Sequence, residues 1–149
     1  MRLRKLLLHV WNLWPPFFFS GIKIVKRSKD FRHFTVKLKL RFWNANYVGT
    51  QYGGSIFSMT DPFYMIMLMH NLGKDFVVWD KSATIRYKKP GKSDLWAEFN
   101  LTQQDLEEIH QTIENQGYMH WIRVVEIKNN QQEIVAEVEK VISIKPKKH

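Results

Sequence analysis

Between Ser55 and Leu72 the chain carries one formal charge, Asp61. The apolar residues Ile56, Phe57, Met59, Phe63, Ile66, Met67 and Met69 leave no polar face on a helical projection of this stretch. A helix apolar nearly all round cannot lie on a surface, so the rest of the chain must enclose it. Pro62 interrupts the run and admits two arrangements. Either one helix kinks at Asp61, or a second helix begins there with Asp61 as its N-cap and Pro62 in its first turn.

The enclosing material reads as strands. Phe34, Val36, Leu38, Leu40 and Phe42 alternate with Thr35, Lys37, Lys39 and Arg41, which predicts a half-buried strand with a basic outer face. Four more strands are expected at Phe76 to Lys88, Asp94 to Leu101, Met119 to Lys128 and Glu133 to Ile144, each rich in Val, Ile, Trp or Tyr. A polar helix, Gln103 to Asn115, interrupts them, and Asn129-Asn130 marks a hairpin turn. The expectation is an α+β chain in which five antiparallel strands wrap one buried helix. At 149 residues and 44% hydrophobic content this is one core, assigned to residues 20–149.

Residues 1–19 form a separate element. MRLRKLLLHVWNLW begins like a signal peptide, but His9, Asn12 and Pro15-Pro16 break the apolar run. No stretch of about 20 apolar residues follows that could span a bilayer. Leu3, Leu6, Leu7, Val10, Trp11 and Trp14 recur at helical spacing, predicting an amphipathic helix that Pro15 ends. Its apolar stripe either packs on the domain or lies on anionic lipid, flanked as it is by arginines and tryptophans. A cytoplasmic location, peripheral to the membrane in the second case, is the corresponding expectation.

A formal net charge of +9 calls for an anionic partner without choosing among nucleic acid, lipid and a phosphorylated small molecule. The absence of cysteine excludes disulfides, iron–sulfur clusters, thiolate zinc sites and cysteine nucleophiles. The histidines at 9, 33, 70, 110, 120 and 149 lack metal-ligand spacing, so no metal site is expected. Ser55 lies outside any Gly-x-Ser-x-Gly elbow, and GTQYGGS lacks the Gly-Lys-Ser/Thr ending of a phosphate-binding loop. A nucleic-acid module would use Trp96, Trp121 and Tyr87 as stacking platforms with Lys37, Lys39 and Arg41 on the backbone, but no recognition motif accompanies them.

The order strand, Asn-containing loop, Gly-Gly helix start and four further strands resembles the hotdog-fold thioesterases. The motif matches as well: Asn46, Gly49, Tyr52-Gly53-Gly54, Ile56-Phe57 and Asp61 follow the phenylacetate-pathway type, with Tyr52 where that type has histidine. The Gly-Thr-x-Tyr-Gly-Gly and Asp-Pro forms are similar to a branch known as a domain of unknown function. The resemblance covers roughly Phe31 to Lys145, which puts the N-terminal helix outside the minimal fold.

This resemblance implies a homodimer, or a tetramer of two such dimers, acting on an acyl thioester, with coenzyme A as part of the substrate and no other cofactor. Backbone N–H groups of Gly53, Gly54 and Ser55 would hold the thioester oxygen. Asp61, the one carboxylate on the helix, would attack or orient water at the turn of the other subunit. Asn46 would hold the carbonyl or the water, and Tyr52 can donate a hydrogen bond but is a poor base near neutrality. Phe57, with Met59 and Phe63, would line an acyl tunnel. Arg86, Lys88 and Lys89 fall where coenzyme A phosphates are received. A binder of acyl-CoA or lipid without turnover is the alternative, in which Asp61 serves as a cap.

Overall fold

The computed structural model describes residues 10–147. One turn of 3-10 helix at Trp11–Leu13 leads into α1 (Pro15–Ser20) and strands β1 (Ile22–Arg27) and β2 (His33–Leu38). Helices α2 (Gly53–Ser58) and α3 (Phe63–Leu72) follow, then β3 (Phe76–Tyr87), β4 (Leu95–Asn100), α4 (Gln103–Gln116), β5 (Met119–Asn129) and β6 (Ile134–Pro146). The strands form one antiparallel sheet in the order β1-β2-β4-β5-β6-β3. It has six strands where five were expected.

The added strand is β1, which pairs with β2 from Ile22↔Leu38 to Arg27↔Phe34 and bulges between Ile24 and Lys26. Strand β2 ends at Leu38, not Phe42, because Asn44 turns the chain away. Its side chain accepts from the Arg41 N–H at 2.7 Å and donates to the Lys39 and Ser20 carbonyls at 2.8 and 2.9 Å. Phe42 is left 92% exposed.

The apolar stretch folds as two helices, with a turn from Met59 to Pro62 between them. Phe63, Met67 and Leu68 of α3 are wholly buried against Phe34, Phe99 and Trp121 of the sheet's inner face. Phe63 meets Phe99 at 4.9 Å between ring centroids, and Tyr64 sets its edge to Trp121 at 5.1 Å. Aromatic pairs of this kind add about 0.5–1.5 kcal/mol each beyond area burial. Trp121, expected as an exposed stacking platform, is therefore core. Lys37, expected on a nucleic-acid backbone, pairs with Asp94 at 2.8 Å and lies over the Trp96 ring.

The N-terminal element also differs from expectation. Residues 1–9 lie outside the described residues. From Val10 the chain makes a 3-10 turn, and Pro15 begins α1 at its first position instead of ending a helix. Proline is favoured there because its ring sets φ and the missing N–H has no partner in any case. Phe17 is buried against Phe63, and the Asn12 side chain accepts from the Ile24 N–H at 2.7 Å, fastening this element to β1.

Candidate functional site

The loop between β2 and α2 is organised by Asn46. Its side-chain oxygen accepts from the Val48 and Thr50 N–H groups at 3.1 and 3.0 Å, while its amide donates to the Thr50 hydroxyl at 2.9 Å. Gly49, at φ +79°, closes the turn in a conformation that disfavours side chains. Asn46 thus spends its hydrogen bonds within its own loop.

Gly53 and Gly54 open α2, and their N–H groups have no carbonyl one turn back to receive them. Nothing else among the described residues accepts from them. Ser55, expected as a third donor, gives its N–H to the Tyr52 carbonyl at 3.0 Å and is buried, which removes it from the site. Close approach accounts for both glycines. A Cβ on Gly54 would stand 2.4 Å from the Tyr52 ring, and one on Gly53 would stand 2.9 Å from the Tyr87 hydroxyl oxygen. Tyr87 donates that hydroxyl to the Gly53 carbonyl at 3.0 Å, tying the end of β3 to the glycine turn.

A cleft of about 380 Å³ results, lined by Asn46, Gln51, Gly53, Tyr87, Lys88 and Lys89 among others. Gln51 was not anticipated. It is buried, donates from its amide to the Leu38 and Ser93 carbonyls, and keeps a buried side-chain oxygen without a partner. Its place beside Tyr52 in a polar loop gave no sequence signal of burial. Lys88 pairs with Glu137 at 3.1 Å and Lys89 with Glu133 at 2.7 Å. The Lys89 ammonium, with the Asn129 amide, holds the Glu133 carboxyl below the usual carboxylate range. Such exposed pairs contribute about 0–1 kcal/mol, so an arriving phosphate competes readily for either lysine. Arg86 is exposed on β3 but does not line the cleft.

Asp61 lies apart from this cleft within the chain. It follows α2, is exposed, and makes no cap: Pro62 is the N-cap of α3, with no side-chain hydrogen bond. The capping arrangement admitted by the sequence is thereby overturned. Asp61 instead meets Lys140 of β6, whose ammonium lies 3.3 Å from its carboxylate and 3.1 Å from that of Asp80. Lys140 is only 2% exposed. The Asp80 contact is an ion pair whose angles fall short of a hydrogen bond, and Coulomb attraction needs no alignment. Lys140 was missed from the sequence, yet it occupies an inward position between Val138 and Ile142, where an apolar residue belongs.

Of the expected tunnel residues, Phe57 is partly exposed against the core, whereas Met59 and Phe63 are wholly buried in it. Within one protomer they fill the core instead of lining a tunnel. Among the described residues no cluster of three or more metal-ligating side chains occurs, and no helix is long and apolar enough to cross a membrane.

Comparison with solved structures shows the same architecture. A Pseudomonas aeruginosa protein described as a probable thioesterase is 18% identical at a TM-score of 0.80, with 97% of this chain and 96% of that chain covered. A Haemophilus influenzae thioesterase is 12% identical at a TM-score of 0.65, covering 93% and 88%. The E. coli PaaI protein, from the phenylacetic acid degradation operon, is 17% identical at 0.62, covering 95% and 91%. At these identities the likeness establishes the fold alone, an α+β hotdog fold. No curated protein matches. The family match runs from residue 4 and so takes in the N-terminal segment. With residues 4–144 matching, the chain belongs to the family described as "Domain of unknown function (DUF4442)".

Proposed function

We propose that the protein binds acyl thioesters of coenzyme A in the cleft beside Gly53 and hydrolyses them as a dimer. The observation that carries this reading is the convergence of the Asn46 turn, the glycine helix start and the Lys88–Lys89 segment on one cleft. The unpartnered N–H groups of Gly53 and Gly54 suit a thioester oxygen, whose negative charge grows as the carbonyl is attacked. Asn46 sets the turn that aims them, and the exposed Tyr52 hydroxyl supplies a further donor. Lys88 and Lys89 receive phosphate, with the exposed Arg86 one residue before Tyr87 adding positive charge nearby, while Phe57 contacts the acyl chain.

In the hydrolytic step, Asp61 of the partner subunit directs water onto the carbonyl carbon. As the carbon–oxygen bond forms the Asp61 carboxylate takes the proton that water loses, the carbon–sulfur bond breaks, and the thiolate leaves to be protonated by solvent while Asp61 returns its proton to solvent. Strand β3 ends the sheet with 12 residues and no partner on its outer side among the described residues. Pairing two such edges closes them and supports the dimer.

The test is thiol release across acyl-CoA chain lengths, for the wild type and Asp61→Asn. Turnover that falls at least about a hundredfold in the variant is expected. Equal turnover in both rejects Asp61 as the water-directing group. A second reading, binding without turnover, is favoured by the engagement of Asp61 with Lys140. It predicts no thiol release from either protein, with thermal stabilisation by acyl-CoA in both.

A further inference from the structure

The charge of the chain is unevenly placed. Between residues 1 and 60 Asp30 is the one carboxylate side chain, against eleven lysines and arginines. In the same part of the structure Leu13, Phe18 and Phe19 are exposed on or just before α1, and Phe42 and Trp43 on the loop after β2. Asn44 binds these two segments together through the Ser20 carbonyl at the end of α1 and the Lys39 carbonyl. Gly21 permits that junction, since a Cβ there would lie 2.5 Å from the Asn44 amide nitrogen.

A shallow cavity of about 330 Å³ has Leu13, Phe18 and Trp43 on its walls together with Lys23, Lys39 and Arg41, so apolar and basic groups share one face. None of these three cations forms an ion pair among the described residues, although six other lysines and arginines do. Packing does not explain this face. Five large apolar side chains stand in solvent beside cations that no carboxylate pairs within ion-pair distance among the described residues.

We propose that this face binds the surface of an anionic lipid bilayer. The aromatic and leucine side chains enter the headgroup and upper acyl region, where tryptophan is favoured. Lys23, Lys39 and Arg41 meet lipid phosphates, each near-surface cation strengthening binding by about fivefold. A cavity lined by three cations and no carboxylate, with Asp94 already taken by Lys37, matches an anionic bilayer better than a protein surface, whose rim mixes both signs. In the chain, Trp43 is followed within five residues by Tyr47 and Val48 of the Asn46 turn, which are also exposed. The inference does not depend on hydrolysis.

The test is co-sedimentation of the full chain with vesicles of equal parts phosphatidylcholine and phosphatidylglycerol, and with phosphatidylcholine alone. Binding to the anionic vesicles, weaker by about a hundredfold on neutral ones and reduced by added salt, is expected. Lys39→Glu combined with Arg41→Glu lowers binding to the anionic vesicles by at least about 25-fold. Phe18→Ser combined with Trp43→Ser abolishes it while the mass in size-exclusion chromatography and the circular dichroism stay unchanged. Should that pair misfold, Phe19→Ser alone serves, because Phe19 is 68% exposed. No binding to either vesicle overturns the proposal, as does equal binding to both. A loss of oligomeric mass in the Phe18/Trp43 variant also overturns it, by making the face a contact between subunits.

Discussion

The ammonium of Lys140, on strand β6 between β5 and the edge strand β3, lies 3.3 Å from the carboxylate of Asp61 in the turn between α2 and α3. Asp80, on the neighbouring strand β3, holds the same ammonium at 3.1 Å. Asp61 is 58% exposed at its side chain and Asp80 only 23%, so Asp80 is the partner that compensates the buried charge. Asp80→Asn should therefore destabilise the fold by about 2 kcal/mol, and Asp61→Asn by clearly less. At this chain length that is a fall in Tm of about 4–8 °C for Asp80→Asn. Urea unfolding of the two variants decides; a larger loss for Asp61→Asn makes that carboxylate the anchor of Lys140.

Tyr52 and Gly54 are matched by contact, because any Cβ at Gly54 meets the Tyr52 ring. The ring is exposed, so it can swing away, and alanine improves helix propensity by about 1 kcal/mol over glycine. Gly54→Ala should leave stability within about 1 kcal/mol of the wild type while lowering kcat/KM by about tenfold or more. Tyr52→Phe separates the ring from its hydroxyl. A similar loss there assigns the effect to the hydroxyl; full activity in Tyr52→Phe with loss in Gly54→Ala assigns it to obstruction of the glycine turn.

The core was legible because its periodicity is strong. Phe34, Val36 and Leu38 alternate without exception and are wholly buried, and the run from Ser55 to Leu72 supplies Ile56, Met59, Phe63, Met67 and Leu68 to the core, although Met69 stays exposed on the far face of α3. Strand β1 escaped notice because an edge strand buries little: Ile22 alone is fully covered, and the bulge at Val25 breaks the alternation. The glycine turn and the basic segment were visible as motifs, and both line the cleft. Lys140 and Gln51 were not, since a buried polar residue is recognised only when its partners, Asp61 and Asp80 for the one and the Leu38 and Ser93 carbonyls for the other, are known in space.

The chain has no cysteine, which makes the open edge of β3 accessible to a direct test. Single substitutions Ser82→Cys, Thr84→Cys and Arg86→Cys place a thiol along the exposed strand. If two β3 edges pair about a two-fold axis, the position nearest the axis brings its thiol against its own copy. One of the three should give a disulfide-linked dimer on a non-reducing gel, whereas Glu107→Cys, on the exposed face of α4, should not. Uniform absence of dimer, with sedimentation showing a monomer, rejects the paired edge.

Acid should weaken the fold at two carboxylates on either side of β4. Burial pushes the Asp105 carboxyl up, but hydrogen bonds from the Thr102 N–H and hydroxyl, and from the Arg123 guanidinium, outweigh it and leave it below the usual range. Asp94 is likewise raised by burial and lowered further by Lys37 and the Leu40 N–H. A carboxyl lowered on folding stabilises the native state above its unfolded value of about 3.9, and this contribution disappears as pH falls through the folded value. Urea unfolding between about pH 6 and pH 3 should then show a steeper loss in the wild type than in Asp105→Asn, by about 1–2 kcal/mol. The Asp105 side chain is 13% exposed, so solvent screens the interaction little. Parallel profiles for the two proteins mean that Arg123 and the α4 cap contribute nothing that depends on the charge of Asp105.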